Sequence, residues 1–256
     1  MTRLPEQFLR RPLAHRALHD VKDGRPENSR AAISAAIAAG YGIEIDVQLS
    51  ADNQAMVFHD YHLQRLTGAN GPVRMRSHAD LKAVNLTGGS EGIPDLHDVL
   101  DLVASRVPVL IEIKDQDGAM GANVGELERA VANALASYNG PVAVMSFNPH
   151  SVGVMKDLLP DVPRGLTTSS YAPDEWNLLP VDVCDRLRDI PDYDRVGACF
   201  ISHQAPDLAR PRVAKLRTAG AAILCWTIRD KVAEVQARSV AQNITFEGYL
   251  PDIPIR

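Results

Sequence analysis

Cysteine is scarce in this chain of 256 residues: Cys184, Cys199 and Cys225 make an odd set with no paired spacing. That pattern excludes a disulfide framework and a thiolate zinc site, and it predicts three core thiols. No basic run or basic face is present, and the net charge is −5 with a pI near 5.9. A nucleic-acid partner is therefore not expected, because nothing would release its counterions. No apolar run reaches membrane-spanning length, and the first twenty residues hold no apolar stretch of signal-peptide length. The expectation is a soluble cytoplasmic protein with no membrane partner. No glycine fingerprint follows the first strand, which argues against a dinucleotide-binding crossover.

What is present is a hydrophobic content of 45%, enough to bury one barrel-sized core. Eight β-rich runs recur, at residues 13–17, 42–49, 107–114, 142–147, 165–168, 199–202, 223–228 and 244–250. Most are followed by a helical pattern. Residues 29–39 are Ala-rich, with Asn28 as the expected cap and Gly40 as the stop; 126–138 and 149–159 carry apolar stripes, the latter opening on Pro149 after Asn148. Weaker helices are read at 207–219 and 230–240. Eight strands alternating with helices predict an α/β fold, a (β/α)8 TIM barrel, as a single domain over residues 1–256.

One stretch breaks the rhythm. Between residues 48 and 106 an extra β run, 55–59, follows the second strand too closely for a parallel crossover. A hairpin turning at Asp52-Asn53 is the economical solution, and it would set His59 opposite Asp46. The helix expected at 95–104 would return the chain to the third barrel strand.

Charged residues stand at the ends of the hydrophobic runs: His15-Arg16, Glu44-Ile45-Asp46, His59-Asp60 and Glu112-Ile113-Lys114. Residues two apart on a strand share a face, so Glu44 pairs with Asp46 and Glu112 with Lys114. Acids inside an apolar strand need compensation, by a divalent cation or by a buried network with Lys114 and Arg16. Three carboxylates at two strand ends favour the cation, and oxygen-only ligation favours Mg²⁺ or Ca²⁺, then Mn²⁺. Two histidines can act as base and acid near neutral pH. Together these groups can hold a divalent metal, grip a phosphate and move protons both ways, as phosphodiester hydrolysis requires.

At this level of detail the chain resembles the glycerophosphodiester phosphodiesterases, from about residue 13 to 251. The resemblance rests on His15-Arg16, Pro26-Glu27-Asn28-Ser29, Glu44-Ile45-Asp46-Val47, Val57-Phe58-His59-Asp60, Leu63-Gln64-Arg65-Leu66-Thr67, Ile111-Glu112-Ile113-Lys114, Ser146-Phe147 and Trp226-Thr227, in that order. It implies the phospholipase C-like phosphodiesterase barrel with a small insertion after the second strand. It also implies Glu44, Asp46 and Glu112 as metal ligands, His15 as proton acceptor, His59 as proton donor, and Arg16 and Lys114 on the phosphate. The implied reaction takes a small-molecule glycerophosphodiester to glycerol 3-phosphate and an alcohol, through attack by the substrate's own 2-hydroxyl or directly by water.

Two positions depart from the family pattern. Ala17 stands where the family opening has glycine, and residues 244–248 replace the usual Thr-Asp, so no catalytic role is carried onto them. Trp226 and Phe147 are placed to stack on substrate or simply to pack; Glu27 is read as a partner for Arg16. Competing readings are a lysophospholipase D, which would need an apolar groove that 5% aromatic content does not advertise, an enolising barrel aldolase, and a non-catalytic binding relative. Monomer and homo-oligomer are equally open.

Overall fold

The computed structural model describes residues 2–254. Strands β1 Leu13–Ala14, β2 Gly42–Leu49, β3 Ala55–Val57, β4 Val109–Ile113, β5 Val142–Ser146, β6 Arg164–Thr168, β7 Phe200–Gln204, β8 Ala222–Ile228 and β9 Asn243–Phe246 form one sheet. All strands except β3 pair in parallel in the order β1-β9-β8-β7-β6-β5-β4-β2, and β1 also pairs β2, so eight strands close into the expected TIM barrel.

Strand periodicity sorts the side chains into two cores. Ile43, Ile45, Val47, Val109, Ile111 and Ile113 face outward and pack beneath the helical ring, whereas Leu13, Leu110, Ala143, Met145 and Leu224 fill the barrel's interior. Leu4 and Phe8, from the segment around the short helix Gln7–Arg10, join that interior cluster. Glu44, Asp46 and Glu112 continue the inward rows at the end of the barrel where strands hand over to loops, which is where barrel sites are assembled.

Several element ends differ from the sequence reading. β1 stops at Ala14 because Arg16 and Ala17 have φ of 52° and 66°, left-handed values that no strand continues. The helix Arg30–Ala39 is capped by Ser29, whose side chain accepts from Ala32 N–H; Asn28 sits at φ 59° and is used elsewhere. The 207–219 helix is instead a 3₁₀ turn, Ala205–Asp207, then Pro211–Thr218 with proline in its first turn. The helices Glu126–Leu135 and Pro149–Leu158 begin where expected, the first ending three residues early and the second capped by Asn148, whose side chain accepts from His150 N–H.

β3 runs antiparallel to β2, as the short spacing required, but one residue out of the expected register. Ser50 N–H donates to Gln54 C=O at 3.0 Å, and Asn53 has φ 60°, so the connection is a three-residue loop rather than a two-residue turn. Val47 therefore pairs with Val57, and Phe58 rather than His59 faces Asp46. Beyond β3, Met56, Phe58, Leu63, Val73, Leu81, Leu86 and Ile93 form a separate apolar cluster, and the helix Leu96–Val103 leads back towards β4.

Candidate active site

Parallel register brings the acids together. Asp46 of β2 is the direct partner of Glu112 of β4, with Glu44 two residues below on the same inward row. Carboxylate oxygens of Glu44, Asp46 and Glu112 all lie within 4.8 Å of one another, and all three residues are buried. Lys114 reaches in from the end of β4, with Nζ 2.7 Å from Asp46 Oδ1 and paired also to Glu112 Oε1. Arg16 lies alongside, its Nε 3.6 Å from Asp46 Oδ2 and making no hydrogen bond.

Barrel closure supplies the opposite wall. β1 pairs β9 with Leu13 beside Thr245 and Ala14 beside Phe246, so the next positions along are His15 and Glu247. His15 N–H donates to Phe246 C=O, and its ring Nδ1 lies 2.7 Å from Glu247 Oε2. His59 is oriented the same way, Nδ1 standing 2.7 Å from Asp60 Oδ1. Each ring keeps Nε2 available for a proton passing to or from a ligand.

A charged chain joins the two histidine walls. Glu27 accepts from Arg16 and from both terminal nitrogens of Arg65, each at 2.9 Å, and Arg65 Nε holds Asp60 Oδ2 at 2.6 Å. The Glu27–Arg16 pairing is as read from the sequence. Arg65, within the Leu63–Thr67 motif, ties Asp60 to Glu27. Asn28, freed from capping, donates Nδ2 to Asp46 Oδ2 at 3.0 Å and accepts the Asp46 N–H at 3.3 Å.

The titration of these groups follows their surroundings. Burial is the largest influence on Glu44 and, with the negative charges of Asp46 and Glu112 beside it, pushes its carboxyl well above the usual range. Burial pulls Asp46 the same way, but Lys114, His59 and Arg16 overcome it and hold that carboxyl well below the usual range. Lys114 is raised despite burial by Asp46 and Glu112. Burial lowers His15 from the ordinary histidine value of 6.5, with Glu247 pulling back, so the ring is neutral at pH 7. The hydrogen bond to His15 is the main reason that Glu247 drops to about 2.

Those charges bear on whether the site suits a cation. Lys114 and Arg16 answer Asp46 and Glu112, but among the described residues no lysine, arginine or histidine forms an ion pair with Glu44. Its carboxylate meets only the backbone N–H of Arg16, at 2.9 Å. A buried carboxylate pushed upward by two like charges fits a hard divalent ion shared among the three acids.

His15, Arg16, Glu44, Asp46, His59, Glu112, Lys114 and Trp226 line one cavity of about 310 Å³. The structure thus brings together all eight residues singled out from the sequence. Phe147 lines it too, standing edge-on to Trp226 with ring centroids 5.6 Å apart, and Trp226 Nε1 donates to Ser202 C=O at 3.0 Å. Gln204 and Arg229, which sequence reasoning passed over, complete the rim, and Arg229 lies 3.6 Å from Glu247. The missed signal for Glu247 was topological: an acid just past the last strand of a closed barrel stands beside the first.

This cavity occurs in a chain whose residues 15–245 match the model of the glycerophosphoryl diester phosphodiesterase family. The chain belongs to that family. The Bacillus subtilis protein YhdW is 26% identical over 242 residues, 90% of each chain. A glycerophosphodiester phosphodiesterase of Caldanaerobacter subterraneus is 29% identical over 162 residues, covering 60% of this chain and 65% of the relative. Among solved structures, an Oleispira antarctica phosphodiesterase in complex with the product sn-glycerol-3-phosphate superposes with a TM-score of 0.73 at 24% identity, over 91% of each chain. At that identity the likeness establishes the phosphodiesterase barrel fold.

Ala17, the departure from the family's opening glycine, is accommodated. Its φ of 66° explains why glycine suits the position, and its N–H still donates to Glu44 C=O at 3.0 Å. The left-handed conformation costs an alanine roughly 1–2 kcal/mol. Its methyl is buried in the main core, which returns about 0.8 kcal/mol. Ala17→Gly is therefore expected to change stability by no more than about 1 kcal/mol and kcat by less than about twofold. A large gain in kcat, measured on the purified variant, would mean that alanine distorts His15 and Arg16 after all.

Proposed function

We propose that the enzyme hydrolyses glycerophosphodiesters, such as glycerophosphocholine and glycerophosphoethanolamine, to glycerol 3-phosphate and an alcohol. The observation that carries this reading is the pair of carboxylate-anchored histidines flanking three clustered acids and two cations in one cavity. Arg16 and Lys114 bind the phosphate oxygens and offset the charge that builds on them. His15, neutral at pH 7, removes the proton from the substrate's 2-hydroxyl, whose oxygen then attacks phosphorus. His59 gives a proton to the departing alcohol. Water opens the resulting cyclic phosphate with the histidines in exchanged roles.

Glu44, Asp46 and Glu112 would hold one divalent cation, Mg²⁺ or Ca²⁺ with Mn²⁺ third. When bound, that ion supplies Lewis-acid stabilisation of negative charge on the phosphoryl group. The residues themselves position substrate, hold Asp46 ionised through Lys114 and Arg16, and handle the protons. Trp226 forms the cavity wall against which the glycerol moiety packs.

The test is release of glycerol 3-phosphate from glycerophosphocholine and glycerophosphoethanolamine, first after chelation and then with Mg²⁺, Ca²⁺ or Mn²⁺ restored. Metal-dependent release is expected. Folded protein that releases none with any of the three ions would remove this assignment and favour a binding role for the barrel.

A further inference from the structure

At the end of the barrel opposite the catalytic residues lies a separate recess of about 380 Å³. Its walls come from the N-terminal ends of three strands, where Cys199 precedes β7, Ala221 and Ala222 open β8 and Gln242 precedes β9. Catalysis in a barrel belongs to the other face, so neither substrate binding nor proton transfer accounts for a space of this size, which suits a small organic ligand. Leu4, Leu9, Tyr193 and Leu216 supply its apolar lining.

Charge decides the kind of ligand. Arg3, Arg212 and Lys215 line the recess against a single acid, Asp194. Among the described residues none of these three cations forms an ion pair, whereas the neighbouring Arg195 and Arg210 are answered by Asp192 and Asp207. Arg212 donates from Nε and one terminal nitrogen to the C=O groups of Asp189 and Ile190, at 3.0 and 2.8 Å, which fixes its guanidinium without neutralising it. Behind the wall, the buried Arg164 has no carboxylate partner among the described residues either: its terminal nitrogens donate to Pro160 and Val162 C=O, and its Nε finds no acceptor. Cys199 N–H donates to Arg164 C=O at 2.9 Å, which sets that charge one strand pairing from the recess. The helix Pro211–Thr218 ends here, and its C-terminal partial charge of about half a unit offsets only part of the positive excess.

We infer that the recess binds a phosphomonoester carried on an apolar or aromatic body. Three lining cations against one acid leave an excess of two positive charges, which matches the charge of a phosphomonoester near pH 7 and is twice what a carboxylate would answer. The guanidinium of Arg3 and the remaining terminal nitrogen of Arg212 offer charge-assisted donors to its oxygens, and Lys215 adds a point charge. Leu4, Tyr193 and Leu216 take the body of the ligand. This site shares no lining residue with the catalytic cavity, so it stands apart from the phosphodiesterase reading above.

Cys199 gives a local readout that needs no turnover. It lies half-buried in the wall of the recess, whereas Cys184 and Cys225 are buried, so it is the thiol that a small reagent reaches first. Full-length enzyme is alkylated with neutral iodoacetamide at mildly alkaline pH, and modification of Cys199 is followed by mass spectrometry in the presence of phenyl phosphate, benzyl alcohol or inorganic phosphate. Phenyl phosphate is expected to slow the alkylation saturably, at concentrations where the other two leave it almost unchanged. Lys215→Glu and Arg3→Glu, both at exposed positions, should each raise the half-protecting concentration about tenfold or more, the loss expected of a charge-assisted contact, and leave glycerophosphodiester turnover unchanged. Equal protection by benzyl alcohol would make the recess an apolar slot, and equal protection by inorganic phosphate a bare anion site; either result overturns the inference. Protection that survives both charge reversals would place phenyl phosphate elsewhere, and no protection at all would leave the recess without this ligand; each of these also overturns it.

Discussion

His15→Ala and His59→Ala should each lower kcat by about 10²–10⁴-fold, the usual contribution of a positioned acid or base. The double variant is expected to be scarcely worse than either single one, because a proton relay fails when one member is gone. Glu247→Gln separates charge from position at His15. The amide keeps a hydrogen-bonding group 2.7 Å from Nδ1 but loses the negative charge that favours the imidazolium formed when His15 takes its proton. A charge-assisted hydrogen bond is worth about 1.5–3 kcal/mol, so kcat should fall by about 10–100-fold. The pH profile gives the second readout. His15 must be neutral to act as base, and burial already sets it below 6.5, so the acid limb of kcat/KM lies below that pH. Glu247 raises the His15 pKa, so its removal moves the acid limb to lower pH still. A kcat for His15→Ala above a tenth of the wild-type value, or an acid limb unmoved by Glu247→Gln, would deny His15 the role of base.

The sequence already contained the barrel, because its parallel strands are two-faced runs with the period of two that sorts Ile43, Ile45 and Val47 outward from Glu44 and Asp46. Seven of the eight site residues were legible because charged groups and histidines at the ends of apolar runs are costly and stand out, and Trp226 through the Trp-Thr of the family resemblance. What was not legible depends on how separated segments meet. Glu247 acquires its role only because β9 closes on β1, a partnership between positions 232 residues apart. Arg65 lies within an insertion whose local pattern says nothing of Glu27. The hairpin register failed by one residue because loop length depends on Asn53 adopting a left-handed conformation. Even so, His59 reaches the cavity, since it lies beyond the last paired residue of β3, where register no longer dictates direction. The apolar recess beside the cavity was hidden by composition: 5% aromatic content looks too little for such a surface, until the fold gathers Tyr61, Phe147, Trp176 and Trp226 at one mouth.

Removing divalent metal is expected to cost the enzyme about 10³-fold or more in kcat/KM, the several kcal/mol that a Lewis acid supplies to a phosphoryl group. Stability provides the independent readout. Glu44 is buried, raised in the folded state, and without a cationic partner, so it contributes least stability when ionised. By linkage, a carboxyl raised on folding favours the folded state below its unfolded value of 4.5 and loses that advantage as pH rises through its folded value. Metal-free enzyme should accordingly become less stable as pH climbs from 4.5 through the folded value, and a bound cation should cancel the trend. At a hundred times its dissociation constant an ion adds about 2.7 kcal/mol, which would raise Tm by about 5–10 °C in a domain of this size. Glu44→Gln makes the sharper distinction. It removes a charge that the metal-free fold tolerates poorly, so it should raise the Tm of chelated protein while abolishing both the metal-induced shift and the activity. Were Lys114 and Arg16 already sufficient to neutralise the acids, chelation would leave Tm unchanged and Glu44→Gln would not flatten any metal response. Calorimetry on the two proteins, chelated and with Mg²⁺ or Ca²⁺, decides between a cation site and a closed ion-pair network.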